Sequence, residues 1–512
     1  MRRWRYAVLG VVTVAALVGC STGSGGSNTS AGAGAPGGTI RVGVSSLPPG
    51  QGNPFTGIGA QSVYTWSAIF DPLTMVDATG QPQPWLTTSW TNVDQKTWQF
   101  KLRENVKFSN GEVFDAAAVK ATVDYLASEA GRATVVGAEL KMLESATAVD
   151  AHTVEIKTNV PEAILPAKLS AMYIVAPKAW ADLGPKGFAA APVGTGPFAV
   201  TSVTDERVKA TAFKESWRTP QADGLEVIKL AESAARLQAL QSKQIDLGIA
   251  LSPDQIPTIE SSGATVQATP APQVMAFGFF QANGKSPVSD QRVRLALNHA
   301  IDRNAIAESL LAGRGRGATQ GATKETFGYH EGIEGFKYDP DRARALLAEA
   351  GHANGLTLNA TVTVGSFPAD SEIYQAAADY LAKVGVTLKL ETVQFSQWLE
   401  RYQTSSWTGD MFNQSWNLSP VGDAIRPAMI FSCKKNNPFF CDEKLNPLLD
   451  RINSEFDPEK RRGLLHELAE ANAANPPSLL LVEQVDLNAT SSNTAGYEIQ
   501  SRFIRYEKLT VQ

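Results

Sequence analysis

The chain has 512 residues, with 46 basic against 51 acidic side chains, a net charge of −5 and 43% hydrophobic residues. That length carries roughly two to four structural lobes with ample core, which excludes a small stapled scaffold. The mildly acidic balance lacks the basic field that a phosphate backbone demands, so nucleic acid is excluded as a partner.

In chain order the N-terminus comes first. MRRWR carries three arginines, Tyr6 to Val18 is an uncharged apolar run, and Leu17-Val18-Gly19-Cys20 closes it. That is the layout of a signal peptide over residues 1–19. A transmembrane helix is the alternative, but spanning takes about 20 apolar residues, and this run gives way at once to STGSGGSNTSAGAGAPGG. The cysteine after Leu-Val-Gly resembles a bacterial lipobox, which implies lipid attachment at Cys20 and a mature chain tethered outside the cytosol. Two acyl chains anchor stably where one holds only marginally. Residues 20–37, rich in Gly, Ser and Ala, read as a flexible tether. Its Gly32-Ala33-Gly34-Ala35-Pro36-Gly37 satisfies G-x-G-x-x-G, yet it follows no strand and opens no helix, so it is low complexity.

Globular sequence begins near Thr39. In Thr97 to Phe114, alternating Trp98, Phe100 and Leu102 and the Asn110-Gly111 turn predict a strand and hairpin. Asp115 then caps a helix with Val119, Val123 and Leu126 on one face, and His152 to Asn159 alternates again, giving a small mixed α/β region. LEVIKLA from Leu225, a helix capped by Ser233, and QIDLGIA form a strand-helix-strand unit, which requires a parallel crossover. A second such unit runs from Leu356–Val364 through a helix over Asp370–Val384 to VTLKLETV. Between them, one helix is predicted from Ser289 or Asp290 to Gly313, and another from Asp339, with Pro340 at its first position, to Gly351. Arg292, Arg294, Asp302 and Arg303 read as a solvated or ion-paired face of the first. No repeat of 20 to 50 residues occurs, which excludes a solenoid.

Cys433 and Cys441 are the remaining cysteines, and in an exported chain a close pair reads as a disulfide. A metal site is the rival, though two ligands are too few for structural zinc and no histidine lies nearby. Catalysis is disfavoured: G-x-S-x-G and H-E-x-x-H are absent and the five histidines are scattered. No cofactor or bound metal is expected.

Four stretches together resemble the extracytoplasmic solute-binding proteins of ABC importers, in the family-5 group. They are WTNVDQKTWQFKLRENVKFSNGEVFDAAAVKATVDYL, APVGTGPFAV, SDQRVRLALNHAIDRNAI and YDPDRARALLAEAG. The resemblance implies an α/β, two-lobed, periplasmic-binding-protein-like fold of type II, of the large cluster with an extra subdomain and a discontinuous first lobe. Lobe I would take residues 38–272 and 482–512, with an α/β subdomain at about 76–188, and lobe II residues 273–481. The glycines of Gly194-Thr195-Gly196-Pro197-Phe198 would supply unusual backbone angles. A monomer is expected, lipid-anchored on the outer face of the cytoplasmic membrane or in the periplasmic space. It would close around an oligopeptide or peptide-like solute for a permease with cytosolic ATPases. A sugar, secondary metabolite or metal chelate is the alternative cargo, and a sensory or chaperone role the alternative function.

Peptide-binding members of the family often hold the ligand's ammonium on an aspartate three residues after a tryptophan. Here Ser419 follows Trp416 at that distance, with Asp423 four residues later, either a substitute anchor or a helix cap. Some dipeptide binders clamp the carboxylate with an arginine beyond the strand that ends here at Val364, where this chain has Gly365-Ser366-Phe367-Pro368. Trp416, Ser419, Asp423, Phe367, Trp407, Phe277, Tyr64, Trp66 and Trp398 are the expected ligand contacts, in an aromatic, weakly charged cleft.

Overall fold

The computed structural model describes residues 37–281, 284–365 and 367–512. The signal peptide, Cys20 and almost all of the tether lie outside them. Ten strands follow one another across the principal sheet, and two more join it from the side. Its middle is an antiparallel pair, Thr265–Phe279 and Ser478–Thr490, in register from Thr265 opposite Thr490 to Gly278 opposite Ser478, with irregularities flanking Val274. Beyond Ser478–Thr490 come Leu247–Gly248, Thr39–Val44, Gly224–Lys229, Arg207–Ala212 and Phe198–Val203; beyond Thr265–Phe279 come Met411–Asn413, Leu356–Val362 and Val386–Thr392.

Both crossover units are parallel. Leu356–Val362 pairs directly with Val386–Thr392. In the earlier unit Thr39–Val44 intervenes, parallel to Gly224–Lys229 on one side and Leu247–Gly248 on the other. A separate antiparallel sheet of Thr87–Asp94, Thr97–Leu102, Thr153–Thr158 and Leu143–Asp150 carries the helix Ala116–Ala127, whose Val119, Val123 and Leu126 are buried. Asp115 caps that helix, accepting from the Ala117 and Ala118 amides at 2.9 and 3.2 Å. Asp115→Ala is expected to cost about 1 kcal/mol by chemical denaturation.

Several local expectations change. The 97–114 hairpin is reduced to one bridge between Lys107 and Val113, because Thr97–Leu102 spends its hydrogen bonds on Thr87–Asp94 and Thr153–Thr158. Ser233 is the first residue of its helix and not the cap; its hydroxyl donates to Gln255 instead. The single helix predicted to end at Gly313 is two, Gln291–His299 and Arg303–Leu310. Asp302 caps the second through the Ala305 amide, while the Arg303 guanidinium takes the freed carbonyls of Asn298 and Ile301. Arg303 is therefore buried, as is Arg294, which donates to the carbonyls of Pro476 and Val288. Burial pushes the two guanidiniums down, to about 9 and about 10.

The Gly194-Thr195-Gly196 turn has a different logic from the one expected. Neither glycine has a positive φ. Both are needed for close approach, since a Cβ on either would collide with the backbone at Ile69. That proximity lets the Thr195 hydroxyl donate to Asp71 at 2.7 Å, joined by the indoles of Trp85 and Trp217 and by Arg218 at 2.9 Å.

Apolar residues gather in two large clusters and a third beside the second. One joins Ile40, Trp66, Phe70, Phe100 and Val227 to the C-terminal Phe503 and Tyr506. A second joins Met275, Phe277, Leu297, Leu358 and Val482. The third, on the other side of the 265–279 strand from Phe277, holds Val274, Trp416, Phe431, Phe439 and Leu465.

Candidate functional site

Strand periodicity sorts the residues around the central pair into two faces. Trp416–Asn417 pairs with Thr265–Phe279 so that Trp416 opposes Val274, and Val274 opposes Glu483. Directly opposed residues share a face, so Trp416 and Val274 look one way. Asn417 and its partner Gln273 look the other, and along Ser478–Thr490 the face opposite Glu483 carries Gln484, Asp486 and Asn488.

On this second face the charges are cancelled. Asp486 accepts two bonds from Arg502 at 2.7 and 3.0 Å. Burial first, then the Asp486 charge, raises the Tyr64 hydroxyl well above the ordinary value. Asn488 donates to Tyr497 at 2.9 Å. Gln484 stands apart. It is 5% exposed, and neither its Nε2 nor its Oε1 has a hydrogen-bond partner among the described residues. Elsewhere, Gln414 Oε1, whose side chain lies with Phe412 and Phe431 on the Trp416 side, and Ser419 Oγ, Gln61 Oε1 and Trp66 Nε1 are also buried and unpartnered among the described residues. A buried amide left this way costs about 1 to 3 kcal/mol, so such groups call for an explanation.

The segment from Gln414 to Pro427 ties the second half of the chain to the first. Gly422 packs on Gly80 so closely that a Cβ on either would collide. Val421 shares a small apolar cluster with Val76 and Ala167, and Ser170 donates to the Pro420 carbonyl at 3.2 Å. Arg426 reaches Glu139 with two bonds, 2.7 and 2.9 Å, and gives a third N–H to the Asn417 carbonyl at 2.6 Å. Both side chains are largely buried, 11% and 18% exposed. Near them, burial pushes the Tyr402 hydroxyl up to about 12.

The expected contacts fall into separate groups. Asp423 is buried, and its carboxylate accepts two bonds from Arg461 at 2.6 and 3.0 Å while one oxygen also accepts the Ile425 amide. Its charge is thus already matched. Trp416 donates from its indole to Ser478 at 2.9 Å and stacks on Phe431 at 4.4 Å, its ring lying over Gly321. Trp407 stacks on Phe412 at 3.9 Å, and Trp398 on Tyr402 at 5.1 Å. Phe277 is fully buried against Tyr374, and Trp66 meets Phe70 edge-on in the first cluster. Phe367 is partly buried, its amide donating to Asp370 at 3.1 Å. Cys433 and Cys441 are disulfide-bonded, and their loop places Phe439 against Phe412 and Phe431. Replacing both cysteines by serine is expected to lower unfolding stability by about 2 kcal/mol, from the short loop released.

Sequence reasoning passed over Gln484, Gln414, Gln61 and the Glu139–Arg426 pair. The visible signal was Glu483-Gln484, two polar residues inside the apolar strand SLLLVEQVDL.

Comparison with known proteins adds four findings. The model for bacterial extracellular solute-binding proteins, family 5, matches residues 81–438. The glutathione-binding protein GsiB of Escherichia coli (strain K12) is 26% identical over 433 residues, 81% of this chain and 83% of that one. The periplasmic binding protein DppA from Helicobacter pylori, in complex with the peptide STSA, superposes with a TM-score of 0.79 at 21% identity, over 93% of this chain and 98% of that one. NikA from Staphylococcus aureus, in complex with Ni(L-His)2, gives 0.75 at 20%, over 93% and 100%. At these identities the structural likeness establishes the two-lobed binding-protein fold.

Proposed function

The chain belongs to the family-5 bacterial extracellular solute-binding proteins, extracytoplasmic components of ABC importers that bind a solute and do not transform it, and on that premise we propose that it captures an oligopeptide or peptide-like compound without a recognised free ammonium and delivers it to a membrane permease. The observation that carries this reading is that Gln484, Gln414, Gln61 and Ser419 each bury amide or hydroxyl atoms with no partner among the described residues, whereas the buried charges of Asp486, Asp423 and Glu139 are already matched. A ligand rich in amide groups satisfies such atoms. A free ammonium would have to enter without a counter-charge, at a cost of several kcal/mol against the roughly 8 kcal/mol of micromolar binding.

Residues 38–272 with 482–512 form lobe I in this reading, and residues 273–481 form lobe II. The separation of the core clusters at Ile249 and Met275, and the return of Phe503 to the first, support that division. Ligand bridging both lobes stabilises the closed form by population shift. Among the described residues no helix is long and apolar enough to cross a membrane, and the proposed anchor is lipid on Cys20.

Native mass spectrometry of the chain purified from its producing cells, followed by thermal-shift screening, tests the ligand class. Terminally blocked or longer peptides are expected to raise the melting temperature more than free dipeptides do. The largest shift from free dipeptides or from nickel–histidine would overturn the reading. Intact mass of the membrane fraction tests Cys20: a diacylglyceryl adduct is expected, and an unmodified mature N-terminus rejects it.

A further inference from the structure

Two apolar side chains cross between the halves of the chain, and each packs on the core of the opposite half. Phe456, on the connector between the helices Asn446–Ser454 and Pro458–Ala474, packs on the first cluster, its ring 6.0 Å from that of Trp98. Ile164, beyond the strand Thr153–Thr158, packs on the third cluster, which holds Trp416 and Phe431, and on Val76, Ala167 and Val421. A backbone bond runs between the two: the Ala163 amide donates to the Asn453 carbonyl at 3.2 Å. That carbonyl lies in the last turn of its helix, where carbonyls find no partner within the helix. The neighbouring Ile452 carbonyl accepts Arg461 Nε at 3.1 Å, so the guanidinium that matches Asp423 also fixes the approach to Phe456. Opposite, the Trp98 indole donates to the Glu162 carbonyl at 3.1 Å, and the Glu162 carboxylate accepts Lys168 at 2.6 Å. The ring under Phe456 and the backbone that carries Ile164 are thereby tied together.

We propose that Phe456 and Ile164 form a reciprocal apolar clasp that holds the lobes closed, which makes them positioning residues acting on solute capture through closure. This rests on the division into residues 38–272 with 482–512 and residues 273–481. Under that division each side chain fills a place in the other lobe's core. Opening returns both to water, and the hydrophobic effect opposes it. Both are half-buried, so the contact is small enough to break and re-form. The clasp is made of protein groups alone, so it acts with or without solute. It raises the closed fraction, and apparent affinity rises with that fraction. Unlike the Arg426–Glu139 pair, it strands no charge when it parts.

The test uses the full mature chain with Cys20→Ser, refolded from denaturant to strip any solute, and reads closure by small-angle X-ray scattering. Phe456→Ala and Ile164→Ala are each expected to enlarge the radius of gyration over the parent chain. Phe456→Leu, which keeps an apolar side chain there, should stay near the parent. Hydrogen exchange supplies the local reading: the Ala163 amide should exchange about three- to tenfold faster in Phe456→Ala, because it loses its partner whenever the clasp parts. Thermal unfolding establishes that the variants fold, and the two alanine variants, on opposite lobes, test the clasp separately. Parent-like scattering in either folded alanine variant would overturn the proposal, and faster exchange without enlargement would mark local fraying and overturn it too. Neither measurement contains a peptide, so the clasp can stand when the peptide screen fails, and fall when that screen succeeds.

Discussion

An Arg426→Ala variant is expected to bind its solute roughly a hundredfold more weakly than the wild type, the equivalent of about 3 kcal/mol. Arg426 joins the second half of the chain to Glu139 in the first and holds the Asn417 carbonyl beside Trp416. Removing it strands a largely buried carboxylate, and the breaking of such a pair costs more than the pair contributes. If ligand binds across the closed lobes, whatever destabilises closure is subtracted from affinity. The double variant Arg426→Ala with Glu139→Gln strands no charge, so it should recover part of the loss, a coupling that a double-mutant cycle reads directly. Calorimetry with the solute identified by native mass spectrometry measures it, and additive losses would show that the pair does not support closure. The same pair sets a pH dependence. Burial alone would raise the Glu139 carboxyl, but the charge and hydrogen bonds of Arg426, with Lys168 and Lys141 farther off, hold it below its ordinary 4.5. A carboxyl lowered in the folded state stabilises at pH above its unfolded value and loses that contribution as pH falls through the folded one. Affinity should therefore hold from neutral pH to about 4.5 and fall below it. The fall should be smaller in the double variant.

Much of the fold could be read from periodicity and punctuation, because the signals were local. Asp115, Pro340 and the alternation in Leu356–Val362 each act within a few residues, and the structure places the cap, the helix start and the strand there. What could not be read depended on partners far away in sequence. The helix break at Ala300 follows from Arg303 finding carbonyls at Asn298, Ile301 and Leu480, and charge patterning alone made that arginine look solvated. Asp423 is matched by Arg461, and Arg426 by Glu139 nearly three hundred residues earlier. Trp416 shows the limit most plainly. Its place in the Gln414–Pro427 segment was legible, but the direction of its ring was set by register with Val274, which one-dimensional sequence does not contain.

Replacing Gln484 by leucine is expected to move stability and affinity in opposite directions. The amide is buried with neither atom bonded among the described residues, so substituting a similar-sized apolar side chain should raise unfolding stability by about 1 to 3 kcal/mol. In the bound state the same amide is proposed to exchange two hydrogen bonds with the solute, each worth about 1 to 1.5 kcal/mol, so affinity should fall roughly 30- to 100-fold. Chemical denaturation of the ligand-free protein and calorimetry of the bound one measure the two halves separately. Gln484→Glu adds the contrast: it keeps the shape but buries a charge beside Asp486, and should lower both quantities. A structural role for the amide predicts the reverse pattern in the leucine variant, lower stability with affinity unchanged. The opposed signs follow from one physical statement: a binding site that leaves polar atoms unsatisfied when empty is less stable than it could be, and the solute that satisfies them is recognised by that deficit.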